Sequence, residues 1–385
     1  MENYNTLKEI HHQPELWLEV FELINAQNSA LRSFLDDIFS SKEGEVIFIG
    51  AGSSYFIGEM VSGPFQMHSG LSSRAVSTTE IVTHPEMFIN PRRKTLLVSF
   101  ARSGNSPESM AAIINADMVS TKLKHLIISC NKDGDISKMR LPNSYKIILP
   151  EKANDKSLAM TSSVTSMALV ALLVSRLSKL YLIKSQVELA AKYAERLISK
   201  GEGLFTTLIE HKIERAVFLG SGSFEGVARE AHLKLQELTN GKLICKFDSF
   251  LGFRHGPKAV VNNKTLLFYF FSNDDYVKKY EIDLVNSMKG ESKAACSIGV
   301  GENEVDVEGL DLQISLAEND ESLDESFLLL CALVPAQLFA FYKSLSEGFN
   351  PDNPSVNGTI HRVVQGVTIY PFPYRKRPVR NKRFK

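Results

Sequence analysis

Cysteine is scarce in this 385-residue chain: Cys130, Cys245, Cys296 and Cys331 lie far apart and form no CxxC pair. That spacing excludes a disulfide framework and a cysteine zinc site, and fits reduced, mostly buried thiols in a cytoplasm. Long apolar runs are lacking as well. The greasiest stretch, "FLLLCALVPAQLFAFY" at 327–342, is short for a membrane span and contains Pro335 and Gln337, so it reads as a core or subunit-interface helix. The start "MENYNTLKEIHHQPELW" has no basic-then-apolar layout, which excludes a signal peptide of ordinary form. A cytoplasmic protein without membrane contact is expected. Net charge is also missing, with 44 basic and 44 acidic residues. Seven of the basic ones sit in the last eleven residues, "RKRPVRNKRFK", leaving a body of 37 basic against 44 acidic groups, or −7. An acidic body argues against a nucleic-acid surface, and the tail reads as a solvated terminus.

What the chain does contain is a repeat. "EVIFIGAGSSYFIGEM" begins at Glu45 and "RAVFLGSGSFEGVARE" at Arg215. Each reads as a short β-branched strand, a Gly-x-Gly-Ser turn and a helix start, the opening unit of an open α/β sheet. Further strand-like runs follow the first copy ("KTLLVSF", "HLIISC", "YKIILP") and the second ("KLICKFD", "KTLLFYFF", "LDLQISL"), so an internal duplication accounts for the length. The fold class expected is α/β: two tandem domains, each an open, mostly parallel sheet flanked by helices, flavodoxin-like and three-layered. The expected boundaries are a helical preface over 1–40, a first domain over 41–200, a second over 201–373 and the basic tail 374–385. In the preface Trp17, Val20, Phe21 and Ile24 share one helical stripe. The stretch 185–215 between the halves reads as connecting helices, and from Asn350 onward "NPDNPSVNGTIHRVVQGVTIYPFP" reads as a Pro/Gly/Asn loop followed by a returning strand.

Two loops in the first half are rich in small hydroxyl residues: "GAGSS" (50–54) and "ARSGNSPES" (101–109). Where a parallel strand meets a helix, free backbone N–H groups and the helix dipole form an anion site, at the strand ends where open α/β sheets hold ligands. Ser53, Ser54, Ser103 and Ser106 could ring one phosphate, with Arg102 supplying a full charge. The alternative is that these serines only cap helices. A dinucleotide fits poorly, because the third glycine of the Rossmann fingerprint is replaced by Tyr55 and by Glu225, and no GxxxxGK[ST] occurs.

After the second turn comes "REAHLKLQELTNGKLICKFDSFLGFRHGP". Helical spacing stacks Glu230, Lys234 and Glu237 along the edge of an apolar stripe made by Val227, Ala231, Leu235 and Leu238. A solvated salt-bridge row is one reading. The other takes a carboxylate with His255, in the "FRHGP" turn, as an acid/base pair. A carboxylate that moves a proton between adjacent carbons, a second titratable group to open a sugar ring and a fixed phosphate anchor are what aldose–ketose isomerisation requires. That chemistry needs no metal or cofactor, and no cluster of metal ligands is visible.

Taken together, "GAGSS" with "ARSGNSPES", "REAHLKLQE" with "FRHGP", "AMTSSVT" (159–165) and "GTIHRVVQGVTIYP" resemble the sugar isomerase (SIS) family. The closest likeness is to its AgaS-type members, described as tagatose-6-phosphate ketose/aldose isomerases or galactosamine-6-phosphate deaminases. The chain is also similar to the isomerase half of glucosamine-6-phosphate synthase. The resemblance implies two SIS domains and a small sugar phosphate as partner. It implies Glu237 as the C1–C2 base and His255 for ring opening across a homodimer (or dimer of dimers) with shared sites. Lys234 and Glu230 would flank the sugar, Ser54, Ser103 and Ser106 would hold the phosphate, and Thr161 and Ser162 would line the sugar. Three departures from the synthase stand out. Ala101 and Arg102 replace serine and glutamine, Gln365 replaces a catalytic lysine, and Met1-Glu2-Asn3 offers no N-terminal cysteine for a glutaminase. Release of ammonia is therefore the expected direction: galactosamine 6-phosphate to tagatose 6-phosphate through an enolamine. Plain aldose–ketose isomerisation, a glucosamine substrate and a non-catalytic sugar-phosphate sensor are the alternatives.

Overall fold

Two β-branched runs, each closed by a glycine turn, begin two parallel sheets. The structure, a computed structural model, describes residues 3–41, 43–291, 294–318 and 321–373; the basic tail lies outside the described residues. The first sheet contains β1 (Gly44–Gly50), β2 (Ser72–Ser77), β3 (Lys94–Ala101), β4 (Leu123–Ser129) and β5 (Ser144–Ile148). The second contains β6 (Arg215–Gly220), β7 (Ile244–Asp248), β8 (Thr265–Phe270), β9 (Cys296–Gly301) and β10 (Leu312–Ser315). Their orders, β2-β1-β3-β4-β5 and β7-β6-β8-β9-β10, are the same, and every pairing is parallel. This is the flavodoxin-like arrangement in duplicate, with the strand-order reversal between β1 and β3 and between β6 and β8.

Alternation along each strand explains the layering. Val46 and Phe48 join a central core while Ile47 and Ile49 join an outer one. In the second sheet Phe218 and Phe268 point to the same central core, and Val217 and Leu267 to a separate outer one. Side chains two apart share a face, so each sheet buries both sides, as all-parallel sheets do. One apolar core thus runs through both halves. Its middle holds Ser162–Val174, Gln13–Ala26 and Glu325–Ser346. The last of these is long and apolar enough to cross a membrane, yet it is almost wholly buried inside the protein. Gln337 on it is satisfied by the Gln13 amide and by the Thr161 carbonyl. The stripe Trp17, Val20, Phe21 and Ile24 is buried there too.

The two turn helices, Ser53–Ser69 and Ser223–Leu238, pack directly on each other. Gly226 permits this contact, because a Cβ there would stand 2.5 Å from the Met60 amide nitrogen and 2.8 Å from the Glu59 carbonyl carbon. Gly226→Ala is expected to destabilise the fold by about 1–3 kcal/mol despite alanine's better helix propensity. Urea denaturation checks this.

Two segments depart from the sequence reading. Between the halves one helix forms, Leu180–Lys200, and it stops where Gly201 takes a positive φ of 51°; a 3₁₀ turn over Gly201–Leu204 and irregular turns follow. Past Asn350 the expected strand is not there. Residues 350–373 are turns and irregular chain, and they pair with neither sheet. Their polar groups are served elsewhere. Asp352 accepts the Asn5 and Thr6 amides at 2.9 and 2.8 Å, and its carbonyl accepts the Leu158 amide at 3.0 Å. This segment, grouped by the sequence with the second domain, therefore lies against the first half.

Candidate active site

Both glycine turns have the same backbone. Gly52 and Gly222 each adopt φ 56°, a left-handed geometry that favours glycine. The helix after β1 begins at Ser53 and the helix after β3 at Pro107. Neither has a side-chain N-cap bond, although Ser106 occupies the cap position of the second. The capping alternative is thus set aside, and the helix-start donors face a cleft of about 190 Å³. Ser53, Ser54, Ser103, Ser106 and Ser109 line one side of that cleft. The second half contributes Leu233 and Glu237 from the helix that packs on the first turn, so loops and helix meet over one space.

Two of the three charges in the row on that helix are buried, and Glu237 is partly exposed. Glu230 is 0% and Lys234 1% exposed. The Lys234 ammonium lies 2.7 Å from a Glu237 carboxylate oxygen and 3.3 Å from one of Glu230. Burial opposes the ammonium, but the two carboxylates hold it above the ordinary lysine value. Ser53 Oγ donates to Glu230 at 3.0 Å, tying the first glycine turn to the second-half helix. Burial raises the Glu230 carboxyl to about 7 against the pull of Lys234. The folded chain therefore keeps a proton that the unfolded chain releases near 4.5. This stabilisation is complete at low pH and is lost as pH rises through about 7. Glu230→Gln is expected to gain stability relative to the parent between pH 5 and 8, measured by denaturation at each pH.

Arg102 is buried behind the loop, and burial pulls its guanidinium below the usual arginine value. It donates to the carbonyls of Leu158 (2.9 Å) and Arg362 (2.5 Å), and at 3.4 Å to that of Ser157. The 155–158 loop it grips is held by carboxylates: Glu9 accepts the Lys156 and Ser157 amides. Arg362 completes the clasp, donating to the Asp155 carbonyl and to Asn154 Oδ1. Arg102 thus sits in the cleft wall and also fixes the C-terminal segment, which adds Ile360, His361, Arg362 and Val364 to the lining. Among the described residues, no three His, Cys, Asp or Glu side chains converge as metal ligands.

A SIS-domain family model matches residues 38–176. D-galactosamine-6-phosphate deaminase AgaS of Escherichia coli O157:H7 is 38% identical over 374 residues, covering 95% of this chain and 96% of that protein. The chain belongs to the AgaS group of the SIS family. Two solved structures are similar to this chain over nearly its whole length. The tagatose-6-phosphate ketose/aldose isomerase of Escherichia coli superposes with a TM-score of 0.87 at 34% identity, covering 97% of this chain and 98% of the other. A Clostridium novyi protein assigned to the same activity gives 0.92 at 39%, covering 96% and 95%.

Not every residue singled out in this SIS sequence reaches the cleft. Thr161 and Ser162 are fully buried. The Thr161 amide (2.8 Å) and the Ser162 hydroxyl (2.5 Å) both donate to Asp155, at the start of the Ser162–Val174 helix; their neighbours Leu158 and Met160 line the cleft instead. His255 is exposed in its turn, with its amide bonded to the Gly252 carbonyl, and it does not line the cleft of its own chain. Gln365 is exposed and also outside the lining. The residues that sequence reasoning missed are His361 and Arg362. Their one signal was the quoted "GTIHRVVQGV", whose place in the cleft depends on the clasp by Arg102.

Proposed function

We propose that this chain deaminates a hexosamine 6-phosphate, galactosamine 6-phosphate before glucosamine 6-phosphate, giving the ketose 6-phosphate and ammonia. The observation that carries the reading is one cleft in which the serine-lined helix starts of the first half face Glu237 of the second. The phosphate sits on the N–H groups and hydroxyls of Ser54, Ser103 and Ser106, where helix dipoles favour an anion. Anchoring that end turns binding energy into position for C1 and C2. Glu237 takes the proton from C2 of the open-chain aldose while O1 takes up a proton given by the substrate's ammonium group, giving an enolamine, and it returns the C2 proton to C1, leaving an iminium at C2. Lys234 donates to Glu237 at 2.7 Å and fixes its rotamer. Glu230 holds Lys234 from the other side and, through Ser53, the phosphate loop.

Since His255 stands outside its own chain's cleft, ring opening falls to His255 of a partner subunit in a homodimer, with two shared sites. A cytoplasmic location suits a phosphorylated substrate. Deaminase and ketose/aldose isomerase, the two activities named for the relatives, share the C1–C2 proton transfer, so the same base serves both. A sensor of sugar phosphates needs the phosphate loop but no paired Lys234 and Glu237. The test is to supply galactosamine, glucosamine and tagatose 6-phosphates and measure ammonia and ketose. Ammonia from galactosamine 6-phosphate supports the reading. No product from any of them removes it.

A further inference from the structure

The proposed deamination has a second half that proton transfer between C1 and C2 does not accomplish. The iminium at C2 must be hydrolysed, and that step needs a group to take a proton from water and hand one to the departing nitrogen. Four residues with titratable side chains line the cleft: Arg102, Glu237, His361 and Arg362. The two guanidinium groups keep their protons and are bonded to backbone carbonyls. Glu237 is engaged with C1 and C2. Lys234 is 1% exposed and held between two carboxylates. Gln365 has an amide that exchanges no proton at neutral pH, and its side chain is outside the lining. Of the cleft's own chain His361 is the histidine that remains, the partner's His255 being assigned to ring opening, and it is exposed to the water the reaction consumes.

Its placement is fixed on both sides. Before it, the Ile360 amide donates to Ser355 Oγ at 3.1 Å, and the turn passes through Gly358 at φ 68°. A Cβ on Gly358 would come within 3.5 Å of the His361 ring carbon Cε1. After it, the Arg362 carbonyl is gripped by Arg102 and the Arg362 side chain by Asp155 and Asn154. The imidazole is therefore presented to the cleft by a braced turn.

We propose that His361 is the acid/base group of the hydrolytic half-reaction, an inference that rests on the deaminase reading. Water adds to C2: the O–C2 bond forms, the C=N π pair moves to nitrogen and the imidazole takes a water proton. The imidazolium then protonates the amine of the carbinolamine. The C2–N bond breaks with its pair going to nitrogen, the C2 oxygen closes to the ketone as the neutral imidazole takes its hydroxyl proton, and the imidazolium passes that proton to the departing ammonia. Iminium plus water thus becomes ketone plus ammonium.

His361→Asn separates this step from the first. With galactosamine 6-phosphate in deuterated buffer, the variant should release ammonia about 10²-fold more slowly with KM unchanged, while recovered substrate still gains deuterium at C2. Added imidazole should restore part of the ammonia release to His361→Ala. Glu237→Gln should lose both signals. The inference is overturned if His361→Asn releases ammonia at the parent rate, or if it loses exchange and ammonia release together. Failure of the deaminase reading itself shows in the unaltered protein, as absent ammonia, and takes this inference with it.

Discussion

Glu237→Gln is expected to lower ammonia release from galactosamine 6-phosphate by about 10²–10⁴-fold, the range for loss of a positioned base, while substrate affinity stays near that of the parent. The carboxamide is isosteric and can still accept the bond from Lys234 Nζ, which lies 2.7 Å from the carboxylate in the parent. It can no longer carry the proton between C2 and C1. Binding is expected to survive because the phosphate end rests on the first half, on the helix starts at Ser53 and Pro107, which the substitution leaves alone. Steady-state kinetics with calorimetric titration of the sugar phosphate decide it. A sensor would respond to this substitution in neither measurement.

At pH 8, above the value of about 7 to which burial raises Glu230, Lys234→Met is expected to destabilise the fold by about 3–5 kcal/mol, the penalty for stranding a buried charge. The side chain is 1% exposed and its partner Glu230 is fully buried. Without the ammonium, one Glu230 oxygen keeps only the Ser53 hydroxyl, and the other has no hydrogen-bond partner even in the parent. Adding Glu230→Gln should recover much of the loss, because a neutral amide costs far less to bury than an unpaired carboxylate. Chemical denaturation of the two variants tests this. A loss below about 1 kcal/mol for Lys234→Met would be the behaviour of an exposed pair and would contradict the burial described.

Local pattern made the repeated strand–turn–helix units readable. Val46 to Ile49 alternate between two cores, and the two GxGS turns share their backbone angles. Other strands were harder to read. β9, "CSIGVG", is buried along its length, yet it carries Gly299 where a bulky residue would be looked for. The reason is tertiary: a Cβ there would stand 2.7 Å from Leu310 and 2.9 Å from Phe271, which already fill the space. Likewise, helical spacing placed Glu230, Lys234 and Glu237 on one face but could not tell water from protein beyond it. The neighbouring helix Ser53–Ser69 decides that. Thr161 and Ser162 stood in a motif of the right composition, but Asp155 takes the Ser162 hydroxyl and the Thr161 amide, and the Thr161 hydroxyl is buried. His361 and Arg362 were not legible, because their place depends on a bond between residues 260 positions apart. No local rule encodes such a contact.

The central claim is that the hydroxyl loops of one half and the glutamate helix of the other hold the same sugar. A crystal structure of the Glu237→Gln variant with galactosamine 6-phosphate tests it most directly. The phosphate is expected among Ser54, Ser103 and Ser106, with C2 about 3–3.5 Å from the residue 237 side chain. A sugar phosphate seated at the second sheet's glycine turn, or anchored at the serines with its C1–C2 end turned away from residue 237, would contradict the account.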